Sequence, residues 1–220
     1  MSAPWSYSRL KNFETCPKRH YHYDVVKDVS DKTVQNVEGQ DAHKAFELRI
    51  KQGRALPLPY VHHEPTLARL AGMSGITYPE QKLALTDKFK PAAFFAKNVW
   101  FRTVLDFLNV NGNRAVVIDY KMGKPTSDMT QLQLMSATVM HYQPQVTAVK
   151  AGLLFLNHGM AERAEFQRAH LPAIWAGVLP RVRRYQEAVR DQEYPPKPNG
   201  LCVRYCHVVS CPFHGRGNRA

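Results

Sequence analysis

Two aspartates and a lysine near the middle of the chain have the residue types and spacing of a metal-assisted hydrolytic site. Asp106 lies in one strand-like run, and Asp119 and Lys121 lie in the next, with the turn signal Asn111-Gly112 between them. Alternation along a strand points Asp119 and Lys121 to the same face. Carboxylate oxygens suit a hard divalent cation such as Mg²⁺, which shares them with water and a substrate phosphate. The pattern therefore indicates phosphodiester hydrolysis, with Lys121 stabilising the negative charge of the transition state.

The turn between the two runs decides whether these acids meet. A two-residue loop, either Asn111-Gly112 or Gly112-Asn113, pairs residue 106 with residue 117 or 119 and leaves both aspartates on one face of the sheet. A three-residue loop pairs residue 106 with Ile118 instead and separates the two carboxylates. The predicted site therefore requires the two-residue turn.

A helix is predicted from Asp41 to Gln52, where apolar positions recur at helical spacing and Gly53 gives a stop. His43 lies on its apolar face and could add an imidazole ligand to the site. Imidazole suits Mn²⁺ better than Mg²⁺, so this histidine indicates that Mn²⁺ supports activity.

The rest of the chain alternates between helical and extended patterns. The predicted elements are a helix at Pro65–Ala71, a strand at Tyr78–Thr86 with Glu80 near its start, the hairpin at Phe101–Lys121, a helix at Asp128–Tyr142, a buried strand at Val146–Leu156 and a helix from about His170 to Gln192. For the helix at Asp128–Tyr142, the predicted N-terminal cap is Ser127 or Asp128, and Gln131 is placed for a capping box. This mixture predicts the α/β or α+β class.

Several stretches of the sequence resemble, in order, the motifs of the RecB-like branch of the PD-(D/E)xK nucleases. The matching stretches are SYSRLKNFETCPKRHYHYD near the N-terminus, GQDAHKAFE around His43, TVLDFL around Asp106, VVIDYKMGKP around Asp119 and QLQLM from Gln131. The resemblance implies a restriction-endonuclease-like α/β core, in which helices flank a mixed sheet. It also implies a site in which the metal ligands are His43, Asp106, Asp119 and the carbonyl of Tyr120, and the catalytic set is Lys121, Asp119, Asp106, Glu80 and Gln131.

The chain has four cysteines, Cys16, Cys202, Cys206 and Cys211. In a reducing compartment such cysteines serve metal or redox chemistry more often than disulfides. One N-terminal and three C-terminal cysteines resemble the iron-sulfur subset of these nucleases, which includes CRISPR-adaptation and AddB-type recombination nucleases. That resemblance implies a [4Fe-4S] cluster joining the segment around Cys16 to residues 195–215. Zn²⁺ is the alternative, with His207 or His214 as substitute ligands.

Basic residues outnumber acidic ones by 30 to 18, which gives a net charge of +12. This charge favours a polyanionic partner, and DNA is the first candidate. The predicted DNA contacts are Arg181, Arg183, Arg184 and Tyr185, which could follow a phosphate backbone. No apolar run approaches the roughly 18 residues that span a bilayer. The N-terminus is unlike a signal peptide, so we expect an intracellular, cytoplasmic protein with no membrane partner.

The sequence thus predicts a single nuclease domain over residues 1–220 that hydrolyses DNA with Mg²⁺ or Mn²⁺, most simply as an exonuclease at DNA ends. Two alternatives stay open: a structure-selective endonuclease of the same fold, and a non-cleaving DNA-binding accessory protein of recombination. The intact acids and Lys121 favour cleavage. The sequence has no GxxxxGK[ST] loop, so any unwinding would come from a helicase or recombination partner.

Overall fold

The hairpin expected from the sequence forms the centre of a six-stranded mixed sheet in the computed structural model, which describes residues 4–30, 34–125 and 128–216. The strands lie in the order β2-β1-β3-β4-β5-β6, and their bounds are Ile76–Leu85 for β1, Pro91–Ala92 for β2, Phe101–Asn111 for β3, Arg114–Lys121 for β4, Ala148–Phe155 for β5 and Met160–Gln167 for β6. β4 and β5 are parallel, and the other neighbours are antiparallel. A parallel pair needs a crossover connection, and the helix α5 (Thr130–Tyr142) lies in it.

The hairpin between β3 and β4 has the two-residue turn that the site requires. The ladder runs to Asn111 opposite Arg114, which leaves Gly112-Asn113 as the loop. Gly112 has a φ of +57°, as the first loop position of a type II′ turn requires. Continuing the same register places residue 106 opposite residue 119. The two-residue prediction is therefore confirmed, in its Gly112-Asn113 form.

Two helices, α3 (Val34–Gln52) and α4 (Glu64–Ala71), cover one face of the sheet. Their buried contact with it consists of Ala42, Phe46, Leu67, Leu70, Phe107, Tyr120 and Leu156. The helix α3 begins earlier than the predicted Asp41. Its first turns had no signal in the sequence because they carry no apolar stripe, and Val37 is exposed. It is followed by Gly53 with a φ of +67°, so the predicted stop is confirmed.

The helix α5 lies on the opposite face. Its residue Gln131 contacts Asp119, whereas the next residue of the strand, Tyr120, packs its ring 5.0 Å from Phe46 of α3. Successive side chains of a strand point to opposite faces, so α3 and α5 flank the sheet on its two sides.

The start of α5 differs from the prediction. Thr130 is its first residue, and the Asp128 side chain accepts a hydrogen bond from the Thr130 backbone N–H at 3.0 Å. Ser127, the other predicted cap, lies outside the described residues. The predicted capping box is wrong, because the Gln131 side chain donates to Asp119 instead.

The strands β2 and β6 were not expected from the sequence. The strand β6 lies at an edge of the sheet and carries Glu162, Arg163 and Glu165. Charged residues are common on edge strands because they discourage pairing with another chain. They also remove the apolar alternation on which a strand prediction depends.

The chain divides into two compact units, one formed by Val34–Trp175 with the sheet, and one formed by Met1–Thr33 together with Ala176–Ala220. The helices outside the sheet layers are α1 (Tyr7–Thr15), α2 (Pro17–His20), a π-helical turn (Tyr21–Val25), α6 (Leu171–Asp191) and α7 (Leu201–Arg204). Both chain ends therefore belong to one unit, which we call the terminal unit. The other is the sheet unit.

The core of the terminal unit is aromatic. The ring of Tyr185 lies 5.5 Å from that of Phe13 and 5.2 Å from that of His20. His20 is fully buried, and its Nδ1 lies 2.9 Å from an Asp24 carboxylate oxygen. In the described part of the chain, no helix combines the length and the apolar character needed to cross a bilayer.

Candidate functional site

Three neighbouring strands of the sheet unit carry a row of carboxylates. In the β1–β3 ladder, residues 79 and 81 pair with residues 107 and 105, so Glu80 lies opposite Asp106. The β3–β4 register places Asp106 opposite Asp119 in the same way. Neighbouring strands lie only about 4.8 Å apart, and like charges directly opposite one another destabilise a sheet. Folding alone does not favour such a row, so a bound cation is the simplest reason for it.

The backbone of Glu80 is unusual. Its φ is +51°, a left-handed conformation that is uncommon outside glycine. Such residues cost on the order of 1–3 kcal/mol and cluster at functional sites. The conformation brings the Glu80 Oε1 atom to 3.9 Å from the Nδ1 atom of His43.

His43 of α3 connects the acids to the backbone of β4. Its Nδ1 lies 3.1 Å from Asp106 Oδ1, and its Nε2 lies 3.2 Å from the carbonyl oxygen of Tyr120. A carboxylate and a carbonyl both accept hydrogen bonds, so both contacts are satisfied when the ring carries two protons. Burial lowers the pKa of His43, but the hydrogen bond and charge of Asp106 outweigh it and raise that pKa overall.

The ligand atoms of His43, Glu80 and Asp106 all lie within 4.8 Å of one another, and they form the one such group within the described residues. A six-coordinate Mg²⁺ with bonds of 2.0–2.1 Å separates its ligand atoms by about 3 Å or about 4 Å. The distances from His43 Nδ1, 3.1 Å to Asp106 and 3.9 Å to Glu80, fit these values. These residues therefore fit a divalent cation.

Asp119 is placed differently from the predicted ligand set. It is buried, and its Oδ1 atom accepts a hydrogen bond of 2.7 Å from the Gln131 side chain. Its Oδ2 atom forms an ion pair with the Nζ atom of Lys121 at 2.7 Å. Asp119 thus positions the lysine, next to the group of three ligands.

Two carboxyl groups of the site have a raised pKa. Burial raises that of Glu80 to about 7, and the charge of Asp106 adds to the effect. Burial also raises the pKa of Asp119 to about 6. Lys121 offsets only part of this rise, and the charge of Asp106 adds to it. Both shifts mean that ionising these carboxyl groups is unfavourable in the metal-free site. A bound cation would stabilise their charged forms.

Tyr120 contributes its backbone to the site. Its N–H donates to Asp106 Oδ2 at 2.6 Å, and its carbonyl faces His43 as described above. Its side chain is buried against α3 on the other face, and burial, with the charge of Asp106, raises the pKa of the phenol. The carbonyl contacts Nε2 of His43, whereas Nδ1 of the same ring faces the acids, so the role of the Tyr120 carbonyl at the metal stays a prediction.

The four cysteines line one pocket of the terminal unit, between Cys16 after α1 and Cys202, Cys206 and Cys211 near the C-terminus. All four are free thiols. Backbone N–H groups of Lys197 and Asn199 donate to the sulfurs of Cys16 and Cys202 at 3.3 and 3.5 Å. Burial raises the pKa of Cys206, and charges on Cys202 and Cys16 add to the shift while Arg19 opposes it.

The four sulfurs do not include a compact group of three. In the described part of the chain, which includes all four cysteines, no three of them offer sulfurs within 4.8 Å of one another. Tetrahedral zinc with Zn–S bonds of 2.3 Å holds its sulfurs about 3.8 Å apart. A zinc ion bound by three of these sulfurs would therefore draw them closer together.

The residues predicted to contact DNA fall into two groups. Arg181 forms two hydrogen bonds with the Glu14 carboxylate at 2.6 and 2.7 Å, and Tyr185 is only 2% exposed. Both have structural partners inside the terminal unit. Arg183 and Arg184 are exposed.

One segment with nucleic-acid-binding chemistry was missed in the sequence. Residues 82–102 hold five basic residues, one acidic residue and five aromatic rings. Interleaved basic and aromatic residues are a recognised signal of single-strand binding. The signal was available, but the run overlaps the strands of the core and its aromatic residues suit a core equally well.

A profile of the PD-(D/E)XK nuclease superfamily matches residues 4–212 of the chain. A search of curated protein sequences finds no match. Among solved structures, the chain is similar to a protein from Eubacterium rectale described as a "putative exonuclease", with a TM-score of 0.56, 14% identity, and coverage of 93% of this chain and 88% of that one. It is also similar to SSO0001, with a TM-score of 0.47, 14% identity, and coverage of 96% and 86%.

Proposed function

The chain belongs to the PD-(D/E)XK nuclease superfamily, and on this premise we propose that it is a metal-dependent deoxyribonuclease whose site is the acid row of the sheet unit. One observation carries the proposal. Three carboxylates on adjacent strands lie beside one imidazole from a facing helix, and Lys121 pairs with Asp119, the acid at the β4 end of the row. This arrangement does not stabilise a sheet, because it places like charges side by side. Metal-assisted phosphodiester hydrolysis requires acids to hold the cation and a lysine to stabilise the transition state.

We assign the cation to His43, Glu80 and Asp106, with Asp119 and the Tyr120 carbonyl beside them. Mg²⁺ suits the carboxylates, and the imidazole makes Mn²⁺ a competent substitute. When bound, such an ion lowers the pKa of a water molecule and neutralises the substrate phosphate. The raised pKa values of Glu80 and Asp119 support the assignment, because a cation would relieve the crowding of charge that causes them.

The chain's own residues supply orientation and charge. The Lys121 ammonium is partly exposed and anchored to Asp119, so it can donate hydrogen bonds to the attacking water or to a phosphate oxygen. Gln131 fixes Asp119 from α5, and the Tyr120 N–H fixes Asp106. Lys121, Asp119 and Asp106 are thus each held by a second group, which keeps these residues ordered before substrate binds.

We further propose that the enzyme acts as an exonuclease on DNA ends and belongs to the RecB-like branch. The description of the Eubacterium rectale protein and the order of the sequence motifs support this mode. A structure-selective endonuclease would use the same residues, and the distinction depends on whether substrates without ends are cut. A helicase or recombination partner would supply any unwinding.

For the cysteine pocket, we propose a [4Fe-4S] cluster bound by Cys16, Cys202, Cys206 and Cys211. The pocket gathers the four thiols, and backbone N–H groups donate to two of the sulfurs. Four thiolates are the usual ligands of such a cluster. The cluster would be structural, joining the two chain ends of the terminal unit.

The test is a cleavage assay on linear and circular DNA, each single- and double-stranded, with Mg²⁺, Mn²⁺ or EDTA. We expect shortening of linear DNA with either ion, none with EDTA, and intact circles. Cutting of circular DNA would instead assign the protein as an endonuclease. Cleavage in EDTA, or no cleavage of any substrate by metal-loaded protein, would refute the proposed site.

A further inference from the structure

The loop between β1 and β3, with the strand residues next to it, carries a cluster of rings and cations in the sheet unit. The Arg102 guanidinium lies 5.4 Å from the centre of the Phe94 ring and 5.6 Å from that of Phe95. The Lys82 ammonium lies 6.0 Å from the Phe94 ring. The two rings meet edge to face at 5.1 Å. These are cation–π distances, so the four side chains form one cluster.

The cluster is open to solvent and its charges are unpaired. Phe95 is 78% exposed. Within the described residues, neither Lys82 nor Arg102 forms an ion pair, and the buried Nε atom of Arg102 has no hydrogen-bond partner. A single exposed aromatic ring is ordinary on a protein surface. Here the exposed Phe95 ring lies against Arg102, and Lys82 lies by the neighbouring Phe94 ring, so the cluster offers a π face and positive charge to the same ligand.

The cluster also lies on the strands that carry the acid row. Lys82 follows Glu80 by two residues on β1, and Arg102 precedes Asp106 by four residues on β3. At about 3.3 Å per residue, their backbones lie roughly 7 and 13 Å from the acids. A ligand that extends a few nucleotides from the acids can therefore reach the rings.

We propose that Phe94, Phe95, Lys82 and Arg102 form a platform that binds single-stranded DNA leading to the acid row. A base can stack on an exposed ring only when it is unpaired and unstacked, and the cations suit the phosphates on either side of it. An acidic peptide would use the cations and leave the ring without a partner. That the ligand is DNA rests on the proposed nuclease function. The platform adds that the DNA reaching the acid row is single-stranded.

The test measures binding without cleavage, using the full chain with Lys121→Ala in EDTA. The probes are a fluorescent oligothymidylate and a blunt duplex of the same length, in a series of salt concentrations. We expect Phe95→Ala to weaken single-strand binding about tenfold and duplex binding less than twofold, and Phe95→Trp to preserve both. Arg102→Gln should reduce the salt dependence of single-strand binding by about one phosphate contact. The control is Leu58→Ala, which removes an 86% exposed apolar side chain of the same unit and should change neither affinity.

Several results would overturn the platform: no single-strand binding by the parent protein, an unchanged affinity in Phe95→Ala, or an equal loss for the duplex or in the control. Failure of the nuclease proposal would look different. If the chain with Lys121 intact cuts nothing in Mn²⁺ while Phe95→Ala still weakens single-strand binding selectively, the platform holds and the enzyme assignment fails. If instead the chain with Lys121 intact cuts DNA in Mn²⁺ and Phe95→Ala binds single strands normally, the enzyme assignment holds and the platform fails.

Discussion

The acid row and the cysteine pocket are built in opposite ways. The acids lie on hydrogen-bonded strands, and Asp106, Asp119 and His43 each contact a side chain or backbone group that fixes them. The cysteines lie on short segments from the two chain ends, next to four-residue helices, and two weak N–H contacts hold their sulfurs. The sheet can order the first site by itself, whereas the second depends on whatever the thiols bind. Mutations in the first should therefore reduce activity, and mutations in the second should reduce stability.

The largest expected effect is on activity, at Lys121. We expect Lys121→Ala to lower the rate of DNA cleavage by about 100- to 1000-fold, the usual loss when one electrostatic contact to the transition state is removed. Folding should persist because the side chain is partly exposed. The control is Lys124→Ala, an exposed lysine three residues further on, which should cleave normally. Cleavage at the normal rate by folded Lys121→Ala protein would contradict the assignment.

The matching effect on stability is expected at Cys16. We expect Cys16→Ser to lower the free energy of unfolding by more than about 3 kcal/mol, as loss of a metal site does. Anaerobically purified protein should also lose its absorbance near ~400 nm, which reports the iron-sulfur centre. The neighbouring Thr15→Ala should keep both properties. If the two variants unfold alike and neither parent nor variant is coloured, the pocket holds no cluster.

A third prediction concerns pH. The raised pKa values of Glu80, about 7, and Asp119, about 6, mean that protons stabilise the metal-free fold, which should lose stability as pH rises through 6 and 7. His43, whose pKa is also raised, acts in the same direction. Metal binding requires the deprotonated ligands, so the Mn²⁺ affinity should rise up to about tenfold per pH unit for each proton released. Melting temperatures at pH 5 to 8, with Mn²⁺ and with EDTA, measure both trends.

The variant Glu80→Gln should flatten the pH dependence of the metal-free protein between pH 6 and 8 and weaken Mn²⁺ binding. Glu64→Gln is the control, because Arg49 lowers the pKa of that carboxyl and it stays ionised over this range. A metal-free protein that becomes more stable as pH rises from 5 to 8 would disagree with the raised pKa values.

A smaller loss of activity is expected at Gln131. Its amide donates to Asp119, and a hydrogen bond to a charged group contributes roughly 1.5–3 kcal/mol. We expect Gln131→Ala to lower cleavage about tenfold, less than Lys121→Ala, and to lower the melting temperature by a few degrees. Gln133→Ala, on the same helix, should match the parent. Single-turnover rates compare the three proteins, and equal rates for both glutamine variants would show that Gln131 has no role.

The smallest effect tests whether the terminal unit also contributes to DNA binding. Arg183 and Arg184 are exposed, whereas Arg181 is paired with Glu14. We expect the double variant Arg183→Gln, Arg184→Gln to reduce the salt dependence of binding by about two phosphate contacts without loss of stability. Arg181→Gln should instead lower the melting temperature. An unchanged salt dependence in the double variant would restrict DNA binding to other surfaces.

Much of the site could be predicted from the sequence because it lies in a hairpin. Apolar alternation and a glycine turn set the register that brings residue 106 opposite residue 119, and both features are local. The position of Glu80 was not predictable in this way: its left-handed backbone and its approach to His43 depend on contacts between distant segments. The same holds for Gln131, whose spacing suited a helix cap but whose side chain reaches across to β4. The early turns of α3 were missed because they bury no apolar stripe.

The terminal unit is interrupted along the chain, since the whole sheet unit is inserted between its two parts. During synthesis, the segment with Cys16 emerges first and has to wait for nearly the entire protein before its C-terminal partners exist. The sheet unit is continuous and has no such delay. Loss of the last twenty residues, through an early stop or a protease, would therefore leave every catalytic residue in the chain but deprive Cys16 of the other three cysteines.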